Sequence, residues 1–270
     1  MAIGKSNGCI EIWDSLKSKQ LRNLKGHNGR VNAINWNDSF LFTGGEDSFV
    51  LCYDLKQKEP IIKVLKFDST DNNEITSIKI NPFELSNLAC SCKNGLILLF
   101  DITKNLSFTF NSSNLNINSM TPTCLPFKYL NQHKGGLRAL SFCPFKKNIL
   151  ISGGIDKTLK KWNSENGDLL CIYPMNSHIY SINWNVYNNE IVTTHGLPKN
   201  QISIWKFPQM IEVGNITEHS RRALYSCISG DKTTLVTGSA EERLFVWKIF
   251  NDLANEVEKS CEDIYEFNIR

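Results

Sequence analysis

The chain repeats one short pattern about every forty residues. Each repeat holds a Gly-His pair or its remnant, two apolar runs, a glycine-rich turn and a run that ends in an aromatic residue. The aromatic anchors are Trp13, Tyr53, Phe100, Trp162, Trp205 and Trp247, and successive anchors lie 40, 47, 62, 43 and 42 residues apart. A period of this size is typical of architectures in which each repeat forms one supersecondary unit. Such a chain buries its apolar runs by packing repeat against repeat.

The repeat that begins at His133 shows the unit most clearly. Pro144 ends its first apolar run, because proline cannot donate to a strand ladder, and Gly153-Gly154 and Asn166-Gly167 mark two tight turns. The predicted strands are Leu137–Phe142, Asn148–Ser152, Thr158–Trp162 and Asp168–Tyr173. Four strands per repeat indicate an all-β fold, the WD40 β-propeller.

The same plan predicts about six blades over residues 1–250. The first blade would hold only the strands Met1–Gly4, Cys9–Trp13 and Gln20–Leu24, and the last would start at Ala223 and reach Trp247. Both blades are therefore expected to be incomplete. Since propellers protect their sheet edges by closing radially, we expect an N-terminally truncated product that lacks one whole blade.

Two segments depart from the repeat. Residues 103–128, rich in Asn and Ser, lengthen one connection and are predicted to form a surface insertion loop. Residues 251–270 are acidic and end in Ile269-Arg270, and we expect a mobile arm.

Composition excludes several classes of function. Net charge is only +3, and no aromatic stripe accompanies the basic residues, so nucleic-acid binding is not expected. The nine cysteines lack zinc-type spacing, which predicts buried thiols, no metal and no cofactor. With neither a signal peptide nor a long apolar stretch in the sequence, we expect no membrane association and a location in the nucleus and cytoplasm.

The histidines are expected to stiffen blades rather than to catalyse. In a WD40 blade, the opening histidine bonds a strand hydroxyl and a turn aspartate, and the network orients the aromatic anchor. His133, Ser152, Asp156 and Trp162 would form a full set, and His27, Thr43 and Asp47 would form another that ends in Tyr53. Side chains committed in this way cannot activate a nucleophile, and the chain has no credible nucleotide or nucleophile-elbow motif, so it is not expected to be an enzyme.

A docking surface is predicted where the first strands begin. The residue before each first strand lies near the central opening on one face of a propeller, and these positions hold Arg30, Gly136, His178 and Arg222, with Arg138 one step further along. Converging guanidinium groups suit an acidic side chain or a carboxylate. The alternative is a solvated basic rim without a dedicated ligand.

The chain resembles the Fizzy and Fizzy-related co-activators of the anaphase-promoting complex. The most specific match is Asn200-Gln201-Ile202-Ser203-Ile204-Trp205-Lys206-Phe207-Pro208-Gln209-Met210, preceded by His195-Gly196. Further matches are Leu21-Arg22-Asn23, Gly29-Arg30-Val31, Trp36-Asn37, Cys143-Pro144-Phe145, Trp184-Asn185 and the terminal Ile269-Arg270. The resemblance covers essentially the whole chain and implies a seven-bladed family.

The resemblance also implies a function. Family members bind KEN-box and destruction-box degrons on cell-cycle substrates and bring these substrates to the ubiquitin ligase. Arg222 matches the family arginine that meets the degron, with His178, Arg138 and Arg30 as further degron-binding residues. Ile269-Arg270 would dock in a helical-repeat groove of the ligase, and checkpoint proteins are additional partners. The alternative function is a WD40 scaffold in another assembly.

The chain departs from the family at several places. His178 replaces a usual glutamine, Lys93-Asn94-Gly95 replaces much of an Asn-Asp-Asn run, and the turn at Ile155-Asp156 lacks the usual threonine. These changes predict an altered preference in KEN-box recognition.

Overall fold

The computed structural model describes residues 1–37, 40–66, 73–103 and 124–248, together with the backbone of residues 265–268. All regular elements in these ranges are β-strands. No helix in this part of the chain is long and apolar enough to span a membrane. The chain divides into two compact units, Met1–Phe142 and Cys143–Arg270.

The first unit contains three antiparallel sheets, here called blades I to III, and one further strand. Blade I has the order β1 (Ala2–Gly4), β2 (Ile10–Asp14), β3 (Lys19–Leu24). Blade II has the order β4 (Val31–Trp36), β5 (Leu41–Gly45), β6 (Val50–Tyr53), β7 (Ile61–Leu65). Blade III contains β8 (Ile75–Ile80), β9 (Asn87–Cys92), β10 (Ile97–Asp101) and β11 (Lys128–Leu130), and β12 (Leu137–Phe142) is the last strand of the unit.

The second unit continues the repeat. Its first sheet is blade IV, in which the strands β13 (Ile149–Gly154), β14 (Thr158–Asn163) and β15 (Leu169–Pro174) pair in that order. Blade V consists of β16 (Ile179–Asn185), β17 (Glu190–His195), β18 (Ile202–Lys206) and β19 (Ile211–Ile216). Blade VI consists of β20 (Ala223–Ile228), β21 (Thr234–Ser239), β22 (Arg243–Lys248) and β23 (Tyr265–Asn268).

Neighbouring blades pack closely within each unit, and glycine makes this possible at the end of the second strand. A Cβ atom on Gly44 would lie closer than 3.0 Å to Ile75, the first residue of blade III. A Cβ atom on Gly153 would lie equally close to Ile179, the first residue of blade V. Only a residue without a side chain allows this contact between one blade and the first strand of the next.

Buried apolar side chains form a core on both sides of the blades. In the first unit, one cluster joins Ile10 of blade I to Leu41 and Leu51 of blade II, and another joins Phe42 of blade II to Ile75 of blade III. In the second unit, Val192 and Ile202 of blade V pack with Leu235, Phe245 and Trp247 of blade VI. Strands that are buried on both faces explain the nearly continuous apolar runs in the sequence.

The structure corrects the expected boundaries at two places. Blade VI is complete, because Tyr265–Asn268, which the sequence places in a mobile arm, pairs with Arg243–Val246. An outer strand satisfies the edge of β22, and the acidic composition of the tail hides this short pairing segment. Blade III gains its fourth strand from Lys128, the last residue of the expected insertion; the segment 104–123 lies outside the described residues. Blade I has three strands, as expected.

Candidate docking surface

A polar network occupies the start of blade II. The imidazole Nδ1 of His27 lies 3.0 Å from both carboxylate oxygens of Asp47, and its Nε2 lies 2.8 Å from the Thr43 hydroxyl. The backbone N–H groups of Asn28 and Phe49 donate to the same carboxylate. Burial opposes ionisation of Asp47, but these hydrogen bonds hold its pKa below the usual value. The network therefore fixes the loop before β4 to the turn after β5.

The second predicted set falls on both units. In the second unit, the Trp162 indole donates to the Ser152 hydroxyl at 2.8 Å. Asp156 accepts hydrogen bonds from Thr158 and from the ammonium group of Lys160, which is 3.1 Å away. In the first unit, His133 is buried. The sequence pattern does not predict the buried ion pair of Asp156 with Lys160, because Lys160 lies within the apolar run of β14.

Blades V and VI contain two further networks that the sequence analysis did not identify. The imidazole Nδ1 of His219 lies 3.1 Å from Glu241, and its Nε2 lies 2.8 Å from the Thr237 hydroxyl, which accepts a hydrogen bond from the Trp247 indole. The signal for this network was present, since His219 precedes its first strand by four residues, as His27 and His133 do. Glu241 in place of aspartate obscured it.

The network of blade V is built around a histidine at the end of the second strand rather than before the first. His195 is the last residue of β17, and its ring lies 2.7 Å from the Thr193 hydroxyl and 3.0 Å from the Ser177 hydroxyl. The Trp205 indole donates to the same threonine at 2.7 Å. Burial lowers the pKa of His195 to about 4, so this imidazole is neutral at physiological pH. The described residues include no group of His, Cys, Asp and Glu that could hold a metal ion.

Of the four predicted degron-binding residues, two lie in the first unit. Arg30 directly precedes β4, and its exposed guanidinium Nε lies 3.6 Å from the Glu46 carboxylate. Arg138 is the second residue of β12 and is also exposed.

The other two lie together in the second unit. His178 directly precedes β16, and Arg222 directly precedes β20. Gly196 connects them: its N–H donates to the His178 carbonyl, and a Cβ atom there would be 2.8 Å from the Tyr180 ring and 3.6 Å from Cγ of Arg222. The His178 and Tyr180 ring centroids are 6.4 Å apart. We call these four residues the Arg222 patch; Tyr180 and Gly196 were not predicted as members.

A depression of about 500 Å³ lies beside this patch. The N–H of Ala240, which lines the depression, donates to the Arg222 carbonyl at 3.0 Å. The lining residues are Ser220, Arg221, Ala240, Glu241, Glu242 and Arg243. Two guanidinium groups and two carboxylates therefore share one concave surface. The predicted ligase anchor, Ile269-Arg270, lies outside the described residues.

Comparison with known proteins agrees with this fold. The family model "WD domain, G-beta repeat" matches residues 18–54 and 124–163. A chain in the solved "Crystal Structure of Mitotic Checkpoint Complex" aligns with a TM-score of 0.80 over 93% of this chain and 71% of that chain, at 24% sequence identity. The chain thus contains WD40 repeats and has a β-propeller fold, as the sequence predicts.

Curated proteins of similar sequence extend this comparison. The chain is 33% identical to "Anaphase-promoting complex subunit cdc20" of Dictyostelium discoideum over 97% of this chain and 50% of the relative. It is 33% identical to "Meiotic fizzy-related protein 1" of Schizosaccharomyces pombe over 95% of this chain and 56% of the relative. It is also 30% identical to "Cell division cycle 20.1, cofactor of APC complex" of Arabidopsis thaliana over 93% of this chain and 52% of the relative.

The comparisons confirm the resemblance to the Fizzy and Fizzy-related co-activators. The relatives' names describe a subunit and a cofactor of a complex rather than enzymes, in agreement with the expectation from sequence. The chain spans about half the length of the curated relatives that it matches.

Proposed function

We propose that the protein is a substrate-recognition co-activator of the anaphase-promoting complex that acts in cell-cycle protein degradation. Its relatives include a subunit and a cofactor of that complex. The observation that carries the proposal is the Arg222 patch, in which His178 and the exposed Arg222 both lie next to Gly196.

The chemistry of the patch suits a short acidic or amide-bearing peptide. Arg222 offers a planar fork of donors to a carboxylate or a carbonyl, and His178 offers a ring nitrogen. The Gly196 backbone lies between them, and because it carries no side chain the Tyr180 ring and Arg222 can pack directly against it. Arg30 and Arg138 of the first unit are exposed, and each remains a separate predicted degron-binding residue.

The tail supplies the second half of the mechanism. Ile269-Arg270 directly follows the outer strand of blade VI, and in this proposal it binds a helical-repeat groove of the ligase. The propeller would hold the substrate while the tail holds the ligase, so that the effective concentration of one for the other rises. The solved relative from a checkpoint complex supports checkpoint proteins as additional partners, and we place the protein in the nucleus and cytoplasm.

Peptide binding tests the proposal. Fluorescence anisotropy would measure the Kd of labelled KEN-box and destruction-box peptides for the 270-residue chain and for Arg222→Ala. We expect the Kd of the variant to be about tenfold larger, which corresponds to a loss of about 1.4 kcal/mol of binding free energy for one charge-assisted contact. Lys146→Ala, which removes an exposed charge after β12 at the opposite end of the strands, should leave the Kd unchanged.

Equal affinity of the wild type and Arg222→Ala for both peptides would contradict degron binding at this patch. In that case, an immunoprecipitate free of ligase subunits would favour a WD40 scaffold in another assembly.

A further inference from the structure

The register of the last strand gives the direction of the chain end. β23 runs antiparallel to β22, with Tyr265 opposite Val246 and Asn268 opposite Arg243. The strand therefore runs toward the turn between β21 and β22, which contains Ala240, Glu241 and Glu242. A strand advances by about 3.3 Å per residue, so a chain that continued in the direction of β23 would reach this turn within two residues.

The depression at this turn matches the chemistry of those two residues. Arg270 carries a guanidinium, and the depression presents the carboxylates of Glu241 and Glu242. Arg221 and Arg243 line the same depression. The two carboxylates can pair with the guanidinium of Arg270 through charge-assisted hydrogen bonds.

Glu241 is held in its ionised form. Burial opposes ionisation, but hydrogen bonds from Ser220, His219 and Ser239 keep the pKa of this carboxyl below its usual value. These bonds also fix its position, since His219 is buried in the network of blade VI. Glu242 is exposed and begins the run into β22.

We propose that the depression formed by Ser220, Arg221 and Ala240–Arg243 binds the chain's own Ile269-Arg270, and that this contact withholds the tail from its partner. The docking itself follows from register and charge; its regulatory meaning rests on the proposed role of the tail as a ligase anchor. Each exposed ion pair contributes little to the binding free energy, so the docked tail dissociates readily from the depression. A ligase groove that binds Ile269-Arg270 more tightly then takes the tail. The depression therefore competes with the ligase groove for Ile269-Arg270.

Removal of Arg270 by a carboxypeptidase specific for terminal basic residues tests the docking. The rate of arginine release would be measured by mass spectrometry for the full chain, for Glu242→Lys and for a free peptide of residues 262–270. We expect the full chain to release arginine at least fivefold more slowly than the peptide, and Glu242→Lys to release it about threefold faster than the full chain. Salt of about 1 M, where the screening length is about 3 Å, should also accelerate release from the full chain.

Glu212→Lys is the matched control, because it makes the same charge change on an exposed residue of β19 in the same unit. Its release rate should equal that of the wild type. The docking proposal fails if the wild type, Glu242→Lys and Glu212→Lys all release arginine at one rate, whether or not β23 slows release in all three.

Ligase capture then separates this inference from the proposed function. Glu242→Lys should retain about two- to fivefold more ligase subunits than the wild type, because its tail is no longer held. Capture that depends on Ile269-Arg270 but is unchanged by Glu242→Lys would overturn only the autoinhibitory contact. Protection of Arg270 without any tail-dependent capture would contradict the proposed function and leave the docking intact.

Discussion

At the residue scale, one threonine hydroxyl in each of three blades connects a histidine with the rest of its sheet. His27, His195 and His219 contact Thr43, Thr193 and Thr237 of the second strand, and in blades V and VI the aromatic anchor donates to the same oxygen. Removal of a buried hydroxyl that accepts from an indole and also hydrogen-bonds an imidazole is costly, because both rings lose a partner. Stability should therefore depend on these hydroxyls more than on other buried threonines.

Adjacent threonines in β17 provide a direct test. Thr193→Val removes the partner of both His195 and Trp205, and we expect the free energy of unfolding to fall by about 2–3 kcal/mol. Thr194 is equally buried, but its hydroxyl has no hydrogen-bond partner within the described ranges. Thr194→Val should be neutral or stabilising. Urea unfolding of both variants checks this, and equal losses would contradict the assignment of the network.

His195 also predicts a pH dependence. Burial lowers its pKa in the folded chain to about 4, below the ordinary 6.5. Between these values the unfolded chain binds more protons, so stability falls as the pH drops from about 6.5 to about 4, by about 3 kcal/mol in total. In His195→Gln this contribution is absent.

The measurement is the free energy of unfolding of both chains at pH 7 and at pH 4. Carboxyl groups titrate in both chains, so their contribution cancels in the difference between the two chains. The free energy of unfolding of the wild type relative to that of His195→Gln should therefore fall by about 3 kcal/mol between pH 7 and pH 4. A constant difference between the two chains would show that His195 is not buried in its neutral form.

The candidate residues differ in how far the sequence could reveal them. His27, His133 and His219 share one spacing from their first strands, so a position-by-position comparison of repeats finds all three. His195 ends a second strand instead, and its contact with Ser177 depends on how the chain enters blade V. That contact, like the approach of Gly196 to Arg222, is a tertiary feature that repeat spacing does not contain.

At the scale of elements, Arg22 attaches the outer strand of blade I to blade II. Its guanidinium donates to the carbonyls of Leu55 and Gln57, at 2.6 Å and 3.1 Å, in the turn between β6 and β7. Arg22→Ala should lower the free energy of unfolding by about 1–2 kcal/mol, and Arg22→Lys should recover less than half of that, since an ammonium cannot reproduce the fork. Lys19→Ala on the same strand is the control, with a change within about 0.5 kcal/mol in thermal or urea unfolding. If Arg22→Ala and Lys19→Ala behave alike, the turn is held by other contacts.

Strands were predictable where apolar runs end at strong turn residues. The first strand of the His133 repeat begins and ends as predicted, at Leu137 and Phe142, because Pro144 follows it. Gly153-Gly154 differs, since β13 continues through both glycines before the chain turns. The sequence pattern does not predict β23, because its pairing partners lie 19 to 25 residues earlier and an acidic segment separates them. Short strands without a local turn signal are set by the edge that they cover.

At the scale of the whole molecule, fold and association should be separable at the tail. β23 ends at Asn268, so deletion of residues 269–270 leaves every strand of blade VI in place. Deletion of residues 265–270 removes the outer strand and exposes the edge of β22. We expect the first deletion to leave the melting temperature unchanged while ligase capture is lost, and the second to lower the melting temperature by several degrees as well. Calorimetry and capture on the same two preparations provide the comparison. If loss of residues 269–270 alone destabilises the chain as much as loss of the whole strand, the terminal pair serves the fold, and the proposal that it anchors the ligase has to be abandoned.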